Sequence, residues 1–114
     1  MRAIVCGGRR YTDWQRLQAV LDGAHAAHAL EELATGNAPG ADTLANAWAR
    51  ERGVPLTLFR ADWAADGRAA GPARNRRMLA EFRPDLVIAF PGGDGTAHMV
   101  RIARAAGVRV VEVE

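Results

Sequence analysis

Residues 91–96, Pro-Gly-Gly-Asp-Gly-Thr, combine the features of a phosphate-binding turn. Gly92, Gly93 and Gly95 allow the backbone to approach a ligand closely, and the residues that follow have helical spacing. A helix N-terminus offers unpaired N–H groups and a positive potential, and both favour a bound anion. The Thr96 hydroxyl suits either a phosphate oxygen or the cap of its own helix. The motif therefore predicts a phosphate site, and the alternative is a turn that needs glycine only for its shape.

Two further glycine loops follow apolar runs and strengthen the phosphate interpretation. One comes directly after residues 2–6, and the other separates a weaker strand from a helix that begins near Asp42. Asp42 is a candidate catalytic residue in this cleft, and its alternative role is the N-cap of that helix. The candidate ligand-binding residues of these two loops are Gly7, Gly8, Arg9, Gly36, Gly40 and Asp42.

Arg74 and Asn75 are the candidates on the third predicted helix, which begins near Pro72. A cation in the first turn of a helix gains nothing from the helix dipole, so an anion in the cleft would explain Arg74. Asn75 shares a stripe with Met78, and a buried amide needs hydrogen-bond partners. Its partner is predicted to be either a ligand or a neighbouring loop. Arg74 is also a candidate catalytic residue.

Composition excludes several classes of protein and site. All fifteen basic residues among the 114 are arginine, which excludes a phosphate-binding lysine of the Walker type and a Schiff-base lysine. A genome rich in G and C would produce the same bias. No cluster has zinc-ligand spacing, and we expect no metal and no cofactor. The single cysteine, Cys6, fits a reducing compartment, and no apolar run is long enough to span a membrane. We expect one cytoplasmic domain over residues 1–114 without a signal peptide.

The order of elements predicts an α/β fold. Strands are predicted at residues 2–6, 30–35, 54–59, 85–90 and 109–113, with helices between them and a polar loop over 60–71. Thr12 and Gln15 resemble the capping box of the first helix. This alternation predicts a Rossmann-like three-layer αβα sandwich with a parallel sheet of about five strands. Ligands bind at the carboxyl ends of such strands, where the glycine loops lie.

Four segments of the sequence identify the chain as similar to a known group of proteins. They are CGGRRYTDW, GNAPGADTLANAWA, ADWAADGRAAGPARNRRML and FPGGDGTAHMVRIARAAGVRVVEV. The chain resembles the SLOG superfamily of Smf/DprA and LOG proteins, in particular its small YspA-type branch related to YpsA. The resemblance implies a Rossmann-like fold, a pocket for a nucleotide or nucleotide-derived ligand, and a homodimer.

The same resemblance bears on catalysis. LOG proteins are phosphoribohydrolases with the motif PGGxGTxxE, and their nearby arginine corresponds to Arg74, followed by Met78. Asn75 stands where these enzymes usually have lysine, and Met99 occupies the position of their glutamate. Methionine cannot ionise or accept a proton, so LOG-type hydrolysis lacks its carboxylate. Asp42 is a candidate replacement, whereas His98 beside Met99 is predicted to point about 100 degrees away on the helix.

The function that these observations predict is binding or sensing of a phosphorylated, nucleotide-type small molecule. The alternative is a LOG-like phosphoribohydrolase that cleaves the N-glycosidic bond of a nucleoside monophosphate. A single-stranded nucleic-acid protein is disfavoured, because the formal net charge is only +2 and no basic–aromatic strip is visible. We predict a homodimer with at least one of Trp14, Trp48 and Trp63 at the interface.

Overall fold

The computed structural model describes residues 1–114 and contains five parallel strands. The strands are β1 (Arg2–Cys6), β2 (Glu32–Thr35), β3 (Leu56–Leu58), β4 (Leu86–Ala89) and β5 (Arg109–Glu112). The helices are α1 (Trp14–His28), α2 (Ala41–Arg52), α3 (Trp63–Asp66), α4 (Ala70–Arg77) and α5 (Asp94–Ala105). A 3₁₀ turn, Gly67–Ala69, joins α3 to α4, and a π-helical turn, Met78–Phe82, extends α4. The strand order is β3-β2-β1-β4-β5.

Helices cover both faces of the sheet because successive strand residues point to opposite sides. In β1, Ala3 and Val5 pack on the face that carries α1 and α2, where they join a core around the buried Trp48. Ile4 points to the other face and packs in a smaller core with Met99 of α5. The predicted three-layer αβα sandwich is therefore confirmed. No helix is long and apolar enough to cross a bilayer.

The caps of the first two helices differ from the sequence prediction. Asp13, rather than Thr12, caps α1, because its carboxylate accepts the N–H three residues further on at 3.0 Å. Helix α2 begins after Gly40 without any side-chain cap, so the capping role that was the alternative for Asp42 is wrong. The backbone explains this start: the first N–H of α2 donates to a carbonyl of the loop after β1.

The predicted loop over residues 60–71 is also wrong, because most of this segment is helical. The Asp62 carboxylate caps α3 by accepting the Ala65 N–H at 3.0 Å, and α4 begins at Ala70, two residues before Pro72. These turns contain too few residues for an apolar period to be visible. The five strands all lie within the predicted ranges, with shorter ends.

The carboxyl ends of all five strands share one edge of the sheet. Cys6 of β1 lies beside Ala89 of β4, so the loops that follow these two strands begin side by side. The chain leaves β1 towards α1 on one face and leaves β4 towards α5 on the other. A crevice opens where neighbouring loops diverge in this way, and α/β sheets bind ligands there. The predicted grouping of the glycine- and arginine-bearing loops at one edge is confirmed.

Candidate functional site

A cleft of about 1060 Å³ lies at this edge, at the upper end of the range for small-molecule sites. Its walls come from the loops after β1, β2 and β4 and from α4 and α5. Of the predicted ligand-binding residues, only Gly40 is absent from its lining. Those that line it are Gly7, Gly8, Arg9, Gly36, Asp42, Arg74, Asn75, Gly92, Gly93, Gly95 and Thr96.

The floor of the cleft is a close crossing of backbone segments. The Gly8 N–H donates to the Pro91 carbonyl at 2.9 Å, and the Gly8 carbonyl accepts from the Ala41 N–H at 3.1 Å. A Cβ on Gly8 would lie 2.8 Å from the Pro91 oxygen, and one on Gly40, where φ is +83°, would overlap the Gly8 carbonyl. A Cβ on Gly92 would likewise overlap the Thr96 hydroxyl. Only glycine permits this crossing, which joins the β1 loop to both α2 and the β4 loop.

The start of α5 is open, in contrast to that crossing. A Cβ on Gly93 or Gly95 would meet no atom within 4 Å, and neither residue has a positive φ. No side chain caps the helix, so Thr96 does not have the capping role that was its alternative. The N–H groups of Asp94, Gly95 and Thr96 find no acceptor within the protein. Three free donors therefore face open space at the positive end of a twelve-residue helix.

Arg74 extends from α4 across the end of β2. Its Nη1 donates to the Gly36 carbonyl at 2.8 Å, and its Nε donates to the Asn75 Oδ1 at 3.0 Å. A Cβ on Gly36 would overlap the guanidinium, so glycine at this position makes room for Arg74. Burial lowers the pKa of Arg74; Asp42 opposes that shift and Arg9 adds to it. With two of its five N–H groups used, Arg74 keeps three donors for an anion.

Asn75 is 5% exposed, and its amide is bonded to residues of α4 and α5 rather than to the neighbouring loop that was one of its two predicted partners. Its Oδ1 faces Arg74, and because arginine only donates, its Nδ2 must face the Gly95 carbonyl at 3.2 Å and the His98 Nδ1 at 3.1 Å. The His98 Nδ1 is then an acceptor, and the ring proton lies on Nε2. Burial, with Arg101 and Arg76, lowers the pKa of His98 and favours this neutral form.

Asp42 is the least satisfied polar group of the protein. Its side chain is 5% exposed, its Oδ2 accepts the Ala38 N–H at 3.1 Å, and its Oδ1 has no partner. Burial raises the pKa of Asp42 to about 6, although the Ala38 hydrogen bond, the Arg74 charge and the nearby Gly36 N–H act in the opposite direction. The Gly36 N–H does not have the geometry of a hydrogen bond to the free Oδ1. No ion pair joins Asp42 to Arg74. A buried carboxyl oxygen without a partner, in the wall of a cleft, is a position for a ligand hydroxyl or a catalytic acid.

Several other candidates are assigned structural roles. Met99 is 1% exposed and packs with Ala103 in the smaller core. Burial raises the pKa of the Cys6 thiol to about 12, which makes it a poor nucleophile. The His25 Nδ1 accepts the Leu30 N–H at 3.0 Å, away from the cleft. No three His, Cys, Asp or Glu side chains converge as a metal site.

The structure adds two residues that the sequence reasoning did not select. Trp63 of α3 lines the cleft and is 51% exposed, and the guanidinium of Arg9 lies 5.2 Å from its ring centroid. His98 also lines the cleft, although helical spacing from Met99 predicts that it points away. Periodicity places residues on one helix, but it does not show that α4 packs beside α5 and brings Asn75 to His98.

Comparisons with solved structures show the same fold. The crystal structure of TM1055 superposes with a TM-score of 0.69 at 20% identity, covering 96% of this chain and 72% of the other. Acinetobacter baumannii MurG superposes with a TM-score of 0.61 at 13% identity, and the chain spans 97% of its own length but 34% of MurG. At these identities the likeness concerns the Rossmann-like fold alone.

Sequence comparison identifies the family. The Gene 61 protein of Mycobacterium phage D29 is 36% identical over an alignment 118 residues long, which covers 96% of this chain and 94% of the phage protein. The family model YAcAr, described as the YspA, cpYpsA-related SLOG family, matches residues 1–65, more than half of the chain. The match to this family and the Rossmann-like neighbours together support a fold of the type that binds nucleotide-related ligands or that LOG proteins have. The chain belongs to the YspA and cpYpsA-related SLOG family.

Proposed function

We propose that this protein binds a phosphorylated, nucleotide-type small molecule in the cleft, as a binding or sensing protein. The observation that carries the proposal is the open start of α5. Glycine at positions 93 and 95 is required neither by crowding nor by a positive φ, yet it keeps space free above three unpartnered N–H groups. A phosphate would use that space, those donors and the positive end of the helix together.

Arg74 supplies the second element of this phosphate site. Its guanidinium lies in the wall of the same cleft with three free donors, and it makes no ion pair with a carboxylate, although the Asp42 charge acts on it from a distance. A phosphate between the α5 N-terminus and Arg74 would restore the missing charge balance. Asp42, with its free Oδ1, would accept a hydrogen bond from a sugar hydroxyl. The site thus offers separate groups for the phosphate and the sugar of a nucleotide.

Calorimetry with nucleoside monophosphates and diphosphates tests this proposal. Arg74→Ala should weaken binding by about 2 to 4 kcal/mol, a factor of tens to several hundred. Gly93→Val should obstruct the phosphate while the protein remains folded, since nothing lies within 4 Å of its Cβ position. Arg76→Ala is the matched control, because Arg76 is an exposed arginine of α4 that does not line the cleft. Undiminished binding in both Arg74→Ala and Gly93→Val would place the ligand elsewhere.

A binding role is favoured over LOG-type hydrolysis because Met99 occupies the glutamate position of that motif. The Met99 side chain is 1% exposed and packs in the core, and it brings no proton acceptor into the cleft. Met99→Glu would supply the missing carboxylate, at a cost in stability from burying it. If only that group is absent, release of free base from a nucleoside monophosphate should appear or rise in this variant.

One observation favours N-glycosidic cleavage as a second candidate function. Asp42 is a buried carboxyl with a free oxygen in the cleft wall, and burial raises its pKa to about 6, close to neutral pH. It would serve as the acid or base that Met99 cannot provide, with Arg74 holding the phosphate. Rapid base release by the wild type that is lost in Asp42→Asn would establish this function. Absence of release in both proteins would exclude it.

Assembly as a cytoplasmic homodimer, with residues 1–114 as one domain, completes the proposal. Trp48 is fully buried, with its indole N–H bonded to Asp22 at 2.8 Å, and it is therefore excluded from any interface. Trp14 and Trp63 retain exposed surface. Light scattering that gives a particle of 12.2 kDa at micromolar concentration would contradict the dimer.

Salt-dependent retention of the protein on single-stranded DNA would instead favour a nucleic-acid role.

A further inference from the structure

Trp63 differs from the other tryptophans of the protein in its exposure. Its side chain is 51% exposed, and the only other exposed large apolar residue is Val111, on the edge strand β5. Trp48, by contrast, is fully buried in the larger core. A single exposed aromatic is ordinary on a protein surface. Three features of its surroundings distinguish Trp63.

The first feature is that Trp63 is held in place. Helix α3 is capped by Asp62, and the Trp63 carbonyl accepts the Gly67 N–H at the end of this short helix. The indole lies beside α4, since a Cβ built on Gly71 would lie 3.7 Å from its Cη2 atom. The ring is therefore next to the helix that carries Arg74.

The second feature is the connection between Trp63 and the phosphate end of the cleft. The Gly8 N–H donates to the Pro91 carbonyl, two residues before Gly93 at the open start of α5. The next residue, Arg9, places its guanidinium 5.2 Å from the Trp63 ring centroid, within cation–π range. The planar cation beside the Trp63 ring thus belongs to the residue that directly follows Gly8 in the floor of the cleft.

The third feature is the position of Trp63 at the junction of two cavities. It lines both the main cleft and an adjoining cavity of about 220 Å³, together with Arg9 and Arg74. An indole and a guanidinium both stack on flat conjugated rings, and stacking on an aromatic side chain does not depend on which base is present. Both groups lie in the wall of a cleft large enough for a nucleotide.

We infer that Trp63 and Arg9 form the nucleobase subsite of this protein, with the base stacked on the indole. The inference rests on the proposed function, and it makes the ligand a complete nucleotide, with base, sugar and phosphate, rather than a sugar phosphate alone. Asp42 lines the same cleft, and its unpartnered Oδ1 is available to the sugar. Trp63 would distinguish ligands that carry a base from ligands that do not, and it takes no part in chemistry.

The test compares ligands with and without a base by calorimetry. AMP, ribose 5-phosphate and adenosine are titrated into the wild type, Trp63→Ala and Trp63→Phe. Trp63→Ala should weaken AMP binding by a factor on the order of ten to a hundred, because one stacked base is lost. Ribose 5-phosphate should change by less than about twofold, since its contacts do not involve the indole. Trp63→Phe keeps a ring and should restore most of the AMP affinity.

Fluorescence provides a reading that does not depend on the phosphate site. Adenosine should quench the emission of Trp63 saturably, and the quenching should disappear in Trp63→Phe, which retains Trp14 and Trp48. If AMP and ribose 5-phosphate fail to bind while adenosine still quenches, the phosphate proposal fails and the base subsite stands. Equal affinity of the wild type for AMP and ribose 5-phosphate would overturn the base subsite alone. Loss of a dimer in Trp63→Ala, with ligand affinity unchanged, would also overturn it.

Discussion

The glycines at the carboxyl edge of the sheet form two groups with different surroundings. At Gly8 and Gly40 an added Cβ would meet backbone atoms of neighbouring loops at 2.8 Å or less, and at Gly7 it would meet the Ala41 Cβ of α2 at 2.6 Å. At Gly93 and Gly95 it would meet nothing within 4 Å. Glycine in the first group is required by the fold, because loops cross there with backbone in contact. Glycine in the second group is not required by the folded chain, and we attribute it to a ligand.

The strongest contrast should come from Gly40→Ala. The residue combines a φ of +83° with overlap of the Gly8 carbonyl, so alanine should lower the free energy of unfolding by about 3 kcal/mol or more. Gly53→Ala is the matched control, because Gly53 has a φ of +69° but open space around its Cβ position. It should lose about 1 to 2 kcal/mol, the left-handed strain alone. Equal losses in urea unfolding would show that the loop crossing tolerates a methyl group.

The next largest effect concerns Asp42, where function and stability should conflict. The folded protein holds the Asp42 proton up to a pH of about 6, whereas the unfolded chain releases it near 3.8. Stability therefore falls as pH rises through this interval, and the ionised carboxylate destabilises the fold at neutral pH by on the order of 3 kcal/mol. Asp42→Asn should stabilise the protein at pH 8, and the gain should vanish below the unfolded pKa.

Asp22 provides the control for that measurement, with the opposite sign. The hydrogen bonds from Arg52 and Trp48 lower the pKa of Asp22, so its charged form stabilises the fold at neutral pH. Asp22→Asn should therefore destabilise the protein under conditions in which Asp42→Asn stabilises it. Thermal unfolding at pH 8 and at low pH separates the two. A loss of stability in Asp42→Asn at pH 8 would mean that a structural partner of Asp42 has been missed.

Gly95→Ala should separate ligand binding from stability. Alanine is the better helix former, so α5 should become more stable by up to about 1 kcal/mol, while the methyl group enters the proposed phosphate space. AMP binding should weaken by roughly tenfold or more if a charge-assisted phosphate contact is displaced. Gly23→Ala is the matched control, because Gly23 lies in α1 with nothing near its Cβ position. It should stabilise to a similar degree without any change in affinity.

The smallest predicted effect is a pH dependence transmitted through His98. Below the lowered pKa of His98, protonation of its Nδ1 would place one donor against another, the Asn75 Nδ2–H. Asn75 would then move, and Arg74 would lose its hydrogen bond to the Asn75 Oδ1. Arg101 and Arg76 are the charged groups that act on this ring, and Asp42 titrates across the same cleft. On acidification the affinity for AMP should therefore fall further in the wild type than in His98→Asn. The additional loss should be roughly two- to tenfold, because one hydrogen bond is broken.

His98→Asn keeps an acceptor near the Nδ1 position and does not titrate. Comparing this variant with the wild type at each pH cancels the titration of the AMP phosphate and of Asp42, which both proteins share. His98→Leu removes the acceptor and should bind weakly at every pH. Identical pH profiles for the wild type and His98→Asn would show that Asn75 does not transmit the charge state of His98 to Arg74.

The sequence alone was sufficient for the sheet and for most of the cleft lining, although not for Trp63 and His98. The apolar runs are local signals, and parallel strands joined through helices bring their carboxyl ends to one edge whatever the details of packing. All predicted ligand-binding residues except Gly40 consequently line one cleft. Gly40 lies beneath it, because its backbone crosses the loop after β1. That the cleft binds a nucleotide remains a prediction.

Only the tertiary structure decided which partners these residues have. Residue type does not distinguish the crowded Gly8 from the open Gly93, because the difference lies in atoms from distant parts of the chain. Periodicity likewise places Asn75 and His98 on separate helices, and their contact depends on the packing of α4 against α5. Asp42 has the local sequence of a helix cap, yet the first N–H of α2 donates to the Gly8 carbonyl instead. The Oδ1 atom of Asp42 is left without a partner. Local sequence determines the elements of this protein, whereas contacts between elements determine which polar groups remain available to a ligand.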